Sequence, residues 1–181
     1  MEKELILYIS AAPEMDAECE LVGQRLAELP KSARWVIKRT PGAHEGGNPD
    51  IETLRRSHFY LMLLGMDITA PMGVEWLAAR EAQVTTFAYR NSNRIISPAA
   101  AFFMRNAGVA WEQYQTPQEF IRHLERALIA RLVEGTPGYG LDLGDIEALS
   151  VRLQALEGDK EKSTGDERRG AGRGGVILSQ A

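Results

Sequence analysis

Two carboxylates, Asp67 and Glu75, lie in the segment GMDITAPMGVEWLAAREAQVTTFAY, which spans residues 65–89. Asp67 follows one apolar run, and Glu75 stands two positions beyond Gly73, where an apolar helical pattern begins. The positive end of a helix favours the ionised form of a carboxylate beside it. An ionised carboxylate can act as a nucleophile, or it can stabilise the oxocarbenium-like cation that forms when a glycosidic bond breaks. A second acid can bind ribose hydroxyls or handle the proton of the leaving base, so we predict Glu75 and Asp67 as catalytic residues.

Both acids also have an interpretation that needs no catalysis. An acid in the first turn of a helix is stabilised by the helix dipole by about 0.3–1 kcal/mol. Asp67 can equally be a turn residue, because Asp readily hydrogen-bonds to nearby backbone groups. The residue types and their spacing leave both interpretations open.

The elements around these acids alternate between short apolar or β-branched runs and longer segments of helical period. This alternation predicts βαβ units in an α/β, flavodoxin-like fold, with a doubly wound parallel sheet of order 2-1-3-4-5 and helices on both faces. The five predicted strands span residues 5–10, 33–40, 58–65, 84–89 and 109–114. The third run is almost entirely apolar, which is typical of a central strand covered on both faces.

Start signals mark several of the intervening helices. Pro13 is followed by three acids, and Ser97 precedes Pro98 as an N-cap does. The stretch TPQEF, residues 116–120, combines a capping Thr with Pro and a Glu three positions on. The following helix is predicted to bury one apolar stripe on the sheet.

In such a sheet, ligands bind outside the carboxyl ends of the strands, where the strand order reverses. The predicted order places this point between the first and third strands. The predicted substrate-binding residues follow those strands, begin the next helix or lie in the loop after the second strand; they are Ser10, Ala11, Met66, Gly73 and His44. The loop around His44, PGAHEGGNPD, is better explained as a lid or plain connection than as the carrier of a base.

Other chemistries lack their signatures. Neither G-x-G-x-x-G after the first strand nor G-x-x-x-x-G-K-[ST] anywhere is present, which disfavours dinucleotide oxidoreductases and P-loop proteins. A phospho-acceptor receiver would need acids where this chain reads SAA. A triad of Ser10, His44 and Asp67 can be imagined, but no nucleophile elbow accompanies it. His58 is predicted at the opposite end of the sheet, and His123 on the last helix of the domain.

The composition is that of an ordinary globular protein. The 181 residues carry a net charge of −4 with a pI near 5.5, so broad attraction to nucleic acid or anionic lipid is not expected. The single cysteine, Cys19, falls on an apolar helix face and allows no disulfide framework. Because neither a signal peptide nor a membrane span is recognisable, we expect a cytoplasmic protein without membrane partners.

The chain changes character after residue 135. The sequence predicts a domain over residues 1–135, a connector with an amphipathic helix over 136–157, and a Gly- and charge-rich linker or tail over 158–181. The apolar stripe of that helix either docks on its own domain or meets a partner. The tail contains one short Arg-Gly segment, RRGAGRGG, and a single such segment favours a linker over RNA binding. Its last six residues, VILSQA, have the pattern of a strand.

The segment from residue 65 to 89 resembles the strand, acid, loop and G-x-E-x-x-x-A helix of nucleoside deoxyribosyltransferase-like and TIR-like domains. LYISAAPEMDAECELVGQRLAEL and DIETLRRSHFYLMLLG are similar to parts of an uncharacterised TIR-like family that is often fused to STAND-type NTPases. The resemblance covers residues 5–133 and implies that Glu75, Asp67 and Ser10 match family site residues. SAA and ITAPMG depart from the family pattern, which implies a remodelled pocket or a lost activity.

Two functions follow from this resemblance. The first is an enzyme that cleaves the N-glycosidic bond of a nucleotide or nucleoside, with Glu75 as the catalytic carboxylate. It would need neither metal nor cofactor, and NAD would enter as a substrate. The second is a non-catalytic module of the same fold that self-associates or recruits a partner in a signalling or defence assembly.

Overall fold

The computed structural model describes residues 3–29, 33–42, 47–135 and 138–169. His44 and the strand-like VILSQA segment lie outside the described residues. Among those described, no helix combines the length and apolar character needed to cross a membrane.

A five-stranded parallel sheet forms the centre of the domain, in the order β2-β1-β3-β4-β5. Its strands are β1 (Lys3–Ala11), β2 (Ala33–Arg39), β3 (Phe59–Leu64), β4 (Thr85–Asn91) and β5 (Glu112–Tyr114). The predicted flavodoxin-like α/β fold and strand order are therefore confirmed. β5 is shorter than the predicted run over residues 109–114, since only its last three residues pair with β4.

Six α-helices are found in the described ranges, and a 3-10 turn at Pro13–Met15 leads into the first of them. The helices are α1 (Asp16–Ala27), α2 (Ile51–Arg55), α3 (Ala70–Glu81), α4 (Pro98–Asn106), α5 (Pro117–Glu134) and α6 (Leu143–Arg169). The predicted caps are present, because Ser97 Oγ accepts from the amide of Ala100 at 3.0 Å and Thr116 Oγ1 from that of Glu119 at 3.2 Å.

Two hydrophobic cores lie on opposite faces of the sheet. Side chains of α1, α5 and α6 pack with one face, and side chains of α2 and α3 pack with the other, against which Phe103 of α4 also packs. Every residue of β3 is buried, as expected for a central strand covered on both faces. The centre of the sheet is therefore covered by helices on both faces.

Helix α3 begins at Ala70, five residues before Glu75, which the sequence predicts at the start of the helix. Pro71 occupies its first turn, where proline is favourable because its missing N–H needs no partner. The ITAPMG stretch is thus largely helix rather than loop. Glu75 consequently lies in the second turn, so the prediction that the helix dipole holds this acid in the first turn is wrong.

The C-terminal helix α6 docks on the domain through its apolar stripe. Leu149 is buried in the core, and Leu153 and Leu156 pack against it. Arg152 reaches the buried Glu125 of α5, and Arg25 of α1 approaches the same carboxylate at 3.5 Å. The helix continues to Arg169, past the point where the sequence predicts a linker to begin.

Strand β2 forms one edge of the sheet and carries several exposed basic side chains. Arg34, Lys38 and Arg39 each approach a carboxylate on a neighbouring segment, at 3.7, 3.9 and 2.5 Å respectively. Their charges lie along a strand whose outer side pairs with no other strand of the described residues.

Candidate active site

Glu75 is completely buried and accepts hydrogen bonds from three hydroxyl groups. Tyr8 donates to Oε1 at 2.8 Å, whereas Ser10 and Thr40 donate to Oε2 at 2.6 and 2.7 Å. All three donors are themselves buried. Two neighbouring strands, β1 and β2, thus bring their carboxyl ends to one carboxylate on α3.

A backbone amide holds one of these hydroxyls in place. Thr40 Oγ1 accepts from the amide of Ala11 at 3.2 Å and donates to Oε2 of Glu75 at 2.7 Å. With the bonds from Tyr8 and Ser10, each oxygen of Glu75 has at least one hydroxyl donor. The surroundings are therefore arranged for a group that accepts on both oxygens.

Strand alternation and register explain why these side chains meet. Tyr8 and Ser10 are two residues apart on β1, so both face the α3 side of the sheet. Ser10 lies beside Met62 of β3, in the row that continues to Thr40 at the end of β2. This place is the reversal point between β1 and β3, where the strand order predicts a ligand site.

Two buried tyrosines stand on neighbouring strands beside the carboxylate. Tyr8 and Tyr60 are register partners, and their rings stack with centroids 6.4 Å apart. Burial raises the pKa of Tyr8, and its hydrogen bond to Glu75 raises it further. Burial also raises the pKa of Tyr60, against a smaller opposite effect of the Ser10 hydroxyl. The hydroxyl of Tyr60 nonetheless has no partner with hydrogen-bond geometry.

Charge around Glu75 is not neutralised by any basic side chain in the described parts of the chain. The ion pairs found there involve other carboxylates, as for Glu125 with Arg25 and Arg152. Nor do the described residues contain a cluster of three His, Cys, Asp or Glu side chains suited to a metal ion. Glu125 therefore has basic partners, whereas the buried acids Glu18 and Glu75 have hydroxyl donors, one for Glu18 and three for Glu75.

Asp67 lies apart from this network, on the surface. Its Oδ1 accepts from Ser97 Oγ at 2.5 Å and from the amide of Ile68 at 2.8 Å. These two hydrogen bonds, that of Ser97 first, hold the pKa of Asp67 below its usual value. Within the described chain, Asp67 and Glu75 share no hydrogen-bond partner, so the structure does not join the two predicted catalytic acids directly.

Met66 links three loops at the carboxyl edge of the sheet. Its amide donates to Oε1 of Glu14 at 3.0 Å, and its carbonyl accepts from the amide of Ser97 at 2.8 Å. Arg94 adds a further link by donating to the carbonyl of Glu14 at 3.0 Å. A Cβ at Gly65 would overlap the Glu14 side chain, which explains the glycine there. Hydrogen bonds that each involve a backbone group therefore hold the rim beside the site together.

The remaining predicted site residues take different positions. Ala11 is buried and contributes its amide to Thr40, while Gly73 is half-buried and has open space where a Cβ would point. The side chain of Met66 is half exposed. His44 lies outside the described residues, so its predicted role stays a prediction.

Sequence reasoning did not identify Tyr8, Thr40 and Tyr60 as part of this site. The first was recognisable in principle, since strand alternation places Tyr8 on the same face as Ser10. Thr40 requires the register between β1 and β2, which the sequence does not provide. Tyr60 looks like an ordinary core aromatic within the FYLMLL strand.

The sequence matches no protein-family model, and no curated protein and no solved structure was found to be similar to this chain.

Proposed function

We propose that this protein cleaves the N-glycosidic bond of a nucleotide or nucleoside, with Glu75 as the reacting carboxylate, as an effector in a signalling or defence system. The observation that carries the proposal is the setting of Glu75 at the reversal point of the sheet. Its two oxygens meet three hydroxyl donors and no basic side chain among the described residues. NAD belongs to the proposed substrate class.

This setting suits the chemistry of a sugar cation. As the bond between the anomeric carbon and the base nitrogen breaks, its electron pair leaves with the base and positive charge develops on the sugar. A carboxylate whose charge no cation neutralises interacts strongly with that developing charge in a low-dielectric interior. Water then adds to the anomeric carbon, and its proton passes to the departing base or, where the base leaves neutral as nicotinamide does, to the solvent.

Asp67 would take a binding role in this reaction. Because its hydrogen bonds lower its pKa, Asp67 is ionised at neutral pH and has no proton to give to a leaving base. An ionised carboxylate can instead accept hydrogen bonds from ribose hydroxyls. We therefore assign to Asp67 the recognition of the sugar and to Glu75 the stabilisation of its cation.

A second candidate function is a non-catalytic module that self-associates or recruits a partner. It is favoured by the complete burial of Glu75, whose oxygens are already occupied by hydroxyls. Val74 and Leu77 of α3 and Phe102 of α4 are more than half exposed, which suits association through these helices. In this alternative, Glu75 joins α3 to β1 and β2 without meeting a substrate.

Base release separates the two functions. The full chain, dilute and at concentrations that assemble it, is incubated with NAD and a panel of nucleotides and nucleosides while free base is quantified by chromatography. We expect release by the native chain and none by Glu75→Gln. Glu81→Gln, on the exposed side of the same helix, is the matched control and should retain activity.

Each result decides between the candidates. Release that persists in a folded Glu75→Gln protein would remove Glu75 from the chemistry. Absence of release by the native chain under every assembled condition would favour the non-catalytic module. Circular dichroism of both variants shows whether a loss of activity is a loss of folding.

A further inference from the structure

Arg90 lies near the end of β4, on the same face of the sheet as the Glu75 network. Ser10 is the register partner of Met62, which is in turn the partner of Ala88. Residues two apart on a strand share a face, so Arg90 lies on the same face of the sheet as Ala88, nearer to the carboxyl edge. It stands beside Leu64 of β3 and Gln113 of β5.

One atom of the Arg90 guanidinium, Nε, has no hydrogen-bond partner in the described parts of the chain. Its Nε is buried without a hydrogen-bond acceptor, and Arg90 takes part in none of the ion pairs among the described residues. In contrast, Arg25 and Arg152 both meet carboxylates. An unsatisfied donor on a half-buried cation is costly, and its retention calls for a physical explanation.

A second donor on the same face is also unsatisfied. The hydroxyl of Tyr60 is buried without a hydrogen-bond partner among the described residues, and its ring stacks on that of Tyr8, which binds Glu75. Arg90 Nε can only donate, and the Tyr60 hydroxyl can donate or accept, so a ligand that carries acceptor oxygens can satisfy both groups. A guanidinium favours planar two-point contact with phosphate oxygens, whereas ribose offers hydroxyl and ether oxygens.

We propose that Arg90 binds the 5′-phosphate of the substrate, so that this site selects nucleotides over free nucleosides. The inference rests on the proposed function, which places the sugar at Glu75. Two strand spacings separate β1 from β4, about 10 Å, and two residues along a strand add about 7 Å. The length of a ribose 5-phosphate together with the Arg90 side chain covers this separation.

Binding of ribose 5-phosphate tests the proposal without requiring turnover or knowledge of the base. Isothermal titration of the full chain with ribose 5-phosphate, ribose and inorganic phosphate measures each affinity at fixed salt. We expect ribose 5-phosphate to bind at least tenfold more tightly than either ribose or inorganic phosphate. The Arg90→Gln variant should lose this preference, and Arg90→Lys, which keeps the charge, should retain part of it.

Arg105 provides a matched control on the exposed side of α4. Arg105→Gln makes the same charge change and should keep the full preference for ribose 5-phosphate. The proposal is overturned if ribose binds as tightly as ribose 5-phosphate, or if the preference survives in a folded Arg90→Gln protein. Equal binding of inorganic phosphate and ribose 5-phosphate would overturn the assignment to a nucleotide.

This test is independent of the proposed chemistry. A preference for ribose 5-phosphate that depends on Arg90 would stand even if no base were released from any substrate. Conversely, if bases are released with equal kcat/KM from nucleosides and nucleotides, and equally by Arg90→Gln, the phosphate site fails while the N-glycosidase remains.

Discussion

The hydroxyl of Tyr8 donates a 2.8 Å hydrogen bond to Oε1 of Glu75, although 67 residues separate the two in the chain. This contact joins the first strand to α3 inside the protein. Together with the bonds from Ser10 and Thr40, it fixes both carboxylate oxygens. The position of the acid therefore depends on strands distant in sequence.

Tyr8→Phe should lower the free energy of unfolding by about 1–3 kcal/mol, because it leaves a buried carboxylate oxygen without its donor. Tyr60→Phe is the matched control, since this equally buried tyrosine has a hydroxyl without a partner. Removal of the Tyr60 hydroxyl should leave the free energy of unfolding unchanged or raise it. Urea denaturation of the two variants measures the difference, and equal losses would contradict the assigned network.

Thr40→Val should also destabilise the protein by about 1–3 kcal/mol, because valine fills the same space but neither accepts from Ala11 nor donates to Glu75. Thr40→Ser keeps the hydroxyl and should remain close to the native stability. Guanidinium denaturation of both variants tests this expectation. A valine variant as stable as the serine variant would show that the hydrogen bonds of Thr40 with Ala11 and Glu75 contribute nothing to the free energy of unfolding.

The pKa of Asp67 should rise toward its ordinary value of about 3.9 when Ser97 is replaced by alanine. The folded-state pKa is depressed, so the stabilising effect of the ionised acid is present above about pH 4. It is lost as pH falls through the folded-state value. An NMR titration of the Asp67 side chain in both proteins measures the change in pKa. Identical titration curves would show that Ser97 does not cause the lowered pKa of Asp67.

Leu149→Ala should lower the free energy of unfolding by about 2–5 kcal/mol, because it removes a fully buried side chain from the α5–α6 contact. Val151→Ala, two residues along on the exposed side of α6, should change it by less than about 0.5 kcal/mol. Thermal and urea unfolding both report these differences. Similar small effects would mean that α6 does not contribute to the stability of the domain.

The fold was predictable because its signals are local and repeated. The apolar FYLMLL run identifies the central strand, and the helical segments between strands imply parallel pairing. The Ser97 and Thr116 caps were also recognisable, since a capping residue acts within three positions of itself. By contrast, β5 is shorter than its apolar run because pairing with β4, rather than composition, ends it.

The candidate site was predictable only in part. Ser10 was identified from its place at the end of the first predicted strand and Glu75 from its place at the start of a predicted helix, and the structure brings Ser10 Oγ within 2.6 Å of Glu75 Oε2. The helix start was misplaced because Pro71 was interpreted as a loop residue, although proline is well suited to a first helical turn. Thr40 contacts Glu75 across 35 residues of chain, a relationship set by tertiary packing rather than by any local pattern.

The basic side chains of β2 have a consequence for solubility. An outermost strand offers unpaired N–H and C=O groups to a strand from another molecule, which is a route to aggregation. Arg34, Lys38 and Arg39 lie along this strand, each beside a carboxylate of its own chain, so a second copy pairing there would have to displace these ion pairs and desolvate the charged groups. Concentrated solutions of the protein should therefore resist fibre formation through this side of the molecule.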